Sequence, residues 1–154
     1  MVITAPAQEP KTPWNPSRSA TARVTGALPV PTDCPNCGGN VRLVGNEVIY
    51  GRPFGDWPWA YKCDDPECNS YVGLHPFTNI PLGTLADAAT REARKSAKAA
   101  FNPLWQSGRM TRKQAYAWLA GALRIKDVNK CHIGWFGVEQ CRAVEAAINN
   151  RRKR

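Results

Sequence analysis

Cys34-Pro35-Asn36-Cys37-Gly38 and Cys63-Asp64-Asp65-Pro66-Glu67-Cys68, with 25 residues between Cys37 and Cys63, are the stretches that decide how this chain folds. Two cysteines at i and i+3 of a tight turn aim both thiolates at one point. A glycine just after them admits a positive φ, which turns backbone amides toward the sulfurs. The second pair, with four residues between its cysteines, lies within the spacing typical of zinc ligands. Four thiolates complete a tetrahedron and leave no open position for a water. The spacing therefore predicts one structural Zn2+ held by Cys34, Cys37, Cys63 and Cys68, with no catalytic part.

The residues between and around the pairs supply the strands of a zinc ribbon over 33–80. Val41-Arg42-Leu43-Val44 and Glu47-Val48-Ile49-Tyr50 flank Gly45-Asn46 and read as a hairpin. Ala60-Tyr61-Lys62 runs into Cys63, and Tyr71-Val72-Gly73-Leu74 follows Cys68 as further short strands. Upstream, residues 1–32 hold six prolines and no sustained period, which predicts a disordered or extended arm with Trp14 as its one docking residue.

Downstream, residues 81–150 read as helical. A first helix is expected from about Leu85 to Phe101 or Trp105. It places Ala86, Ala89, Ala93, Ala97, Ala100 and Leu104 on one face and Arg91, Arg94, Lys95 and Lys98 on the other. Pro103 marks its end or a kink. Thr111-Arg112-Lys113-Gln114 has the hydroxyl and amide of a capping box and predicts a second helix with Ala115, Trp118, Leu119 and Ala122 on its apolar face. A third helix is expected over about Val138 to Ile148, and the basic tail 151–154 is expected to fray. The fold class is thus α+β: a small zinc-ribbon hairpin unit followed by a three-helix part, with a disordered N-terminal arm.

Six cysteines and no apolar run long enough for a signal peptide or a membrane span suggest a reducing cytoplasm, where cysteines serve metals rather than disulfides. Cys131, His132 and Cys141 carry the weaker suggestion of a second metal. Cys141 shares a helical face with Val138, Val144 and Ile148, which reads as a buried free thiol. His75 reads as a hydrogen-bonded structural histidine rather than a ligand or base.

The net charge of +9 is unevenly placed. Residues 33–80 hold three basic and six acidic side chains, for about −3, which becomes about −5 with Zn2+ on four thiolates. Residues 81–154 hold fifteen basic and five acidic side chains, for about +10. The basic half points to a polyanion, nucleic acid and DNA foremost, contacted by Arg91, Arg94, Lys95 and Lys98 with Arg109, Arg112 and Lys113 at the second helix. Trp57, Trp59 and Tyr61 read as core beside the metal, with base stacking as the other reading. The acidic ribbon gives an alternative: a protein-interaction module that binds a host transcription or replication protein, or a phage protein, through the ribbon. Two histidines, no Ser/His/Asp pattern and no phosphate loop argue against an enzyme or a small-molecule substrate.

Cys34-Pro35-x-Cys37-Gly38, Cys63 to Cys68, Tyr71-Val72-Gly73-Leu74-His75-Pro76 and Pro81-Leu82-Gly83-Thr84-Leu85-Ala86, in that order, resemble a zinc-finger-containing domain family of bacteriophages and bacteria. Phe101 to Trp105, Thr111-Arg112, Ala115 to Ala120 and Cys131-His132-Ile133-Gly134 extend the resemblance to roughly residues 33–147. It implies a phage-type accessory protein, acting in the host cytoplasm if phage-encoded, with a zinc ribbon joined to helices. It supplies no activity. Lys98 and Asn102 stand where a histidine and an aspartate are common in that family, and Gly137 lies near a position that is often acidic. A mechanism using those groups could not run here unchanged. The ribbon also resembles those that follow type I topoisomerases and contact single-stranded DNA, a likeness of fold alone.

Overall fold

A computed structural model describes residues 9–152. Strand β1, Val41–Gly45, pairs antiparallel with β2, Trp59–Cys63, in a register that sets Val41 against Cys63 and Leu43 against Tyr61. Strand β3, Tyr71–Gly73, pairs antiparallel with the other edge of β2, giving the order β1-β2-β3. Cys34, Tyr61, Cys63, Leu74 and Leu85 form the buried cluster of this unit, with Trp57 and Trp59 packed against it. The three aromatics therefore serve as core. Tyr61 donates its hydroxyl to the Asn79 carbonyl, and Trp57 Nε1 donates to the Thr78 carbonyl at 2.9 Å.

The hairpin expected between residues 41–44 and 47–50 does not form. Glu47–Tyr50 is a single helical turn, α2, closed by Gly51, and the partner of β1 is β2. Asn46 is the reason. Its side-chain amide donates to the Phe54 carbonyl at 2.9 Å, and its side-chain oxygen accepts from the Phe54 amide at 3.0 Å. That clasp is nearly buried and makes residues 46–54 a closed loop rather than a two-residue turn. The strand pattern over 47–50 also leaves Val48 and Tyr50 mostly exposed, so no face of it is worth burying.

The described part of the N-terminal arm, residues 9–32, departs from the disordered expectation. Arg18–Arg23 forms α1, capped by the Ser17 hydroxyl. The Ser17 amide donates to the Phe77 carbonyl at 2.8 Å, and Trp14 sets its ring edge-on against Trp59 at 5.1 Å. Trp14 is thus the docking residue its isolation among prolines suggested.

In the C-terminal half, the first long helix, α3, spans Ala88–Phe101 rather than starting at Leu85. Asp87 caps it, accepting from the amide and hydroxyl of Thr90 at 2.8 and 2.6 Å, while Leu85 and Ala86 stay extended because Ala86 bridges Tyr71 of β3. Pro103–Gln106 is a separate turn, α4, so the half has one short helix more than the three expected. Helix α5, Arg112–Ala122, starts at Thr111 with the complete capping box, and α6 runs Val138–Arg152, four residues past the expected end. Lys153 and Arg154 of the basic tail lie outside the described residues. Between α5 and α6 lie two 3-10 turns, Val128–Lys130 and Ile133–Trp135.

The helical core buries Ala97, Phe101, Ala115, Leu119, Ala120, Ile133, Phe136, Val144 and Ile148. Burying each of its larger apolar side chains contributes about 1.5–3 kcal/mol. Ala89 and Ala122 are exposed, so the apolar faces of α3 and α5 are rotated slightly from the expected ones, toward Phe101 and Ala120. No helix among the described residues is long and apolar enough to cross a membrane.

The segment 81–87 joins the halves. Leu74 bridges Pro81, the Leu82 amide donates to the Gly73 carbonyl, and Tyr71 and Ala86 exchange backbone bonds at 3.0 and 3.2 Å. It runs beside β3 and delivers the chain directly into α3.

Candidate metal centre

The two knuckles are built alike from unlike sequences. In the first, the Gly38 amide closes a turn onto the Cys34 carbonyl at 2.8 Å with Gly38 at φ 78°. In the second, the Asn69 amide closes onto the Asp65 carbonyl at 3.0 Å and Asn69 takes φ 48°, the left-handed region that asparagine tolerates better than most residues. Each knuckle also turns an amide to a sulfur. Gly39 donates to Cys37 Sγ and Asp65 donates to Cys63 Sγ, both at 3.4 Å.

All four sulfurs lie within 4.8 Å of one another. Cys37 and Cys63 are 3.4 Å apart, and Cys34 and Cys68 are 3.7 Å apart. A tetrahedral zinc with Zn–S bonds of about 2.3 Å requires sulfur separations of about 3.8 Å. The donor set therefore fits one Zn2+. Cys34, Cys37, Cys63 and Cys68 would hold it, and the ion would crosslink residues that β1, β2 and their flanking turns bring together. Cys63 and Cys34 are buried and Cys37 is exposed, so the ion would sit at the edge of the ribbon.

Without a metal's charge the thiols compete for protons. A hydrogen bond from the Ser70 hydroxyl, 3.1 Å away, brings Cys68 down to about 7. Burial pushes Cys63 up. The Gly39 amide draws Cys37 down, but hydrogen bonds with Cys63 and Cys68 outweigh it and drive that thiol up to about 12. A metal would displace the protons of these thiols on binding.

Ser70 and Asn36 are supporting residues that the cysteine spacing did not reveal. Asn36 Nδ2 donates to Ser70 Oγ at 2.9 Å and to the Leu85 carbonyl at 3.1 Å. Only the position of Asn36 inside the first knuckle hinted at a role. The other two cysteines are elsewhere: Cys131 and Cys141 are 1% exposed within the helical core, where burial pushes both thiols up, Cys131 to about 11. Among the described residues, the Cys34 cluster is the one set of metal-ligating side chains that converges. His75 is half-buried, with its backbone held by Ile80 and Thr78, and burial lowers its ring pKa.

The cations named from the sequence divide into two groups. Arg94 is turned inward: Nε donates to the Phe136 carbonyl at 2.8 Å, and its two terminal nitrogens donate to the Thr84 carbonyl and hydroxyl at 3.0 and 2.6 Å. Arg91 lies over the Tyr71 ring, 4.1 Å from its centre, and donates to the Ala86 carbonyl at 2.5 Å. Arg91 ties α3 to β3 and the 81–87 segment, and Arg94 ties it to the 81–87 segment and to Phe136. Lys95, Lys98, Arg109, Arg112 and Lys113 are exposed. The one salt bridge among the described residues joins Arg42 and Asp64, so none of these cations is paired with a carboxylate.

A family model described as a zinc-finger-containing domain matches residues 30–151, which takes in the ribbon, the joining segment and the helices. No curated protein and no solved structure matches the chain. The matched span, most of the chain, and the four converging cysteines make this chain a member of the zinc-finger-containing domain family.

Proposed function

We propose that this is a zinc-stabilised accessory protein of the phage type that binds nucleic acid, DNA foremost, through the basic side of its helical half. The observation that carries this reading is the set of five exposed cations without a carboxylate partner: Lys95 and Lys98 on α3, Arg109 in the bend before α5, and Arg112 and Lys113 at the start of α5. Side chains of this kind neutralise phosphates and release counterions. The ribbon is acidic and a poor phosphate binder, so its part is to fix α3 through Arg91 over Tyr71. The test is binding of duplex and single-stranded DNA and RNA across a salt series. Affinity should fall steeply with salt, and changing the five cations to Gln should flatten the slope. Wild-type protein that ignores every nucleic acid at low salt would end this reading.

A second reading, docking of a host or phage protein on the ribbon, is favoured by Val48, Tyr50 and Phe54. These are 59%, 53% and 64% exposed and neighbour Glu47 and Asp56 in sequence. Capture of a protein partner that survives nuclease treatment, and is lost in a Tyr50→Ser/Phe54→Ser variant, would support it.

A further inference from the structure

Where the ribbon meets the helical half, the structure forms an open cavity of about 710 Å³. Its wall comes from β3, the 81–87 segment, α3, α5 and both 3-10 turns, so no single element contains it. That volume is the size of a small-ligand site.

Its lining has two chemistries. Lys98 of α3 and Arg112 and Lys113 of α5 contribute cationic side chains, with Arg94 behind them, and no Asp or Glu takes part. Tyr116, His132 and Trp135 contribute rings. His132 lies 4.1 Å from Trp135, centre to centre, at a 43° tilt, and 6.4 Å from Tyr116. The Arg112 guanidinium stands 5.4 Å from the Tyr116 ring centre, so the cationic and aromatic parts adjoin at Tyr116. All three rings are half-buried, as groups in the wall of an open cavity should be.

A wall of cations with no carboxylate partner calls for an anion, and a row of half-buried rings calls for a planar apolar face. One ligand class carries both. We infer that the cavity is a seat for a single nucleoside phosphate, with its base against His132 and Trp135 and its phosphate at Lys98, Arg112 and Lys113. The ligand is either a free nucleotide or one nucleotide of a single strand, since both present the same ring and the same anion. A base stacked in a duplex offers no free face, so the seat discriminates against duplex. This deepens the nucleic-acid reading above, on which it rests for the strand, and adds a specific place and a preference for unpaired bases.

The test uses the full chain, zinc-loaded and 15N-labelled, with amide shifts followed as AMP, inorganic phosphate, a single strand of about ten nucleotides and the matching duplex are added. The expected result is saturable shifts across residues 128–135 with AMP or the single strand. Inorganic phosphate alone should shift only the amides around Lys98, Arg112 and Lys113. Shifts with AMP identify free nucleotide as a ligand; shifts with the strand alone place the nucleotide in a chain. Lys98→Gln/Arg112→Gln/Lys113→Gln should weaken binding of the base-bearing probe by about tenfold or more, since each change removes a charge-assisted contact. His132→Ala should weaken it while leaving the phosphate response intact. Residues 128–135 that stay silent with AMP and the strand overturn the seat. If salt-dependent DNA binding persists in that case, the basic-face reading stands without it. If no probe binds, both fall.

Discussion

Gly83 lies flush against the carbonyl of Gly134: a Cβ on residue 83 would collide with that oxygen and come within 3.0 Å of the carbonyl carbon. The contact joins the 81–87 segment to the second 3-10 turn, at the wall of the cavity between the halves. Neither backbone has a flexible side-chain end to move aside. Gly83→Ala should therefore destabilise the zinc-loaded protein by about 1–3 kcal/mol. Gly121, in α5 with open space around its Cβ position, is the control. Gly121→Ala should stabilise by about 0.5–1 kcal/mol, because alanine is the better helix residue. Urea midpoints that rank the two variants the other way would contradict the close approach.

Metal analysis of protein purified without chelator should find one zinc per chain, since the four sulfurs form the one converging ligand set among the described residues. Cys34→Ser or Cys68→Ser should lose the metal and unfold the ribbon, because structural zinc supplies folding free energy on the order of 10 kcal/mol. Cys141→Ser should keep the metal, since Cys141 lies in the helical core. Retained zinc in Cys68→Ser would contradict the ligand set.

Arg94 and Lys98 stand one helical turn apart and should behave oppositely. Arg94→Gln removes three hydrogen bonds donated by a charged group to Thr84 and Phe136 and should cost about 2 kcal/mol or more. Lys98→Gln removes an exposed charge and should change stability by less than about 0.5 kcal/mol. In nucleic-acid binding the order should reverse, with Lys98→Gln giving the shallower salt dependence. Equal stability losses in the two variants would show that Arg94 is not the tether described.

Burial lowers the His75 pKa below its usual value, so the folded protein takes up this proton later than the unfolded chain does. Its contribution to stability is complete above the unfolded pKa of about 6.5 and declines as pH falls through the folded value. The difference in urea midpoint between wild type and His75→Gln should therefore narrow or change sign between pH 8 and pH 5.5. Taking the difference removes acid effects on the cysteines, which both proteins share. A difference independent of pH would contradict the shift.

The sequence revealed most where the deciding interaction is local. The cysteine cluster was legible because spacing within each knuckle fixes where sulfurs point, and α5 was legible because Thr111 and Gln114 lie three residues apart. The hairpin was misread because its competitor, the Asn46–Phe54 clasp, spans eight residues and is made by a side chain. Helical periodicity put Arg94 on the charged face of α3, but the carbonyl that captures it belongs to Phe136, 42 residues away. The cavity was invisible for the same reason: its rings and cations sit on segments that have no local signal of their meeting. Cation identity was readable; which cations the fold consumes was not.

Asn36 touches both sides of the molecule, through Ser70 to the Cys68 sulfur and through the Leu85 carbonyl to the segment that enters α3. The cysteine cluster and the entry to α3 are thus joined by side-chain hydrogen bonds as well as by the chain. A change at the first knuckle therefore bears directly on the strand-like segment that leads into α3, and Asn36 is the one side chain that carries it in two bonds.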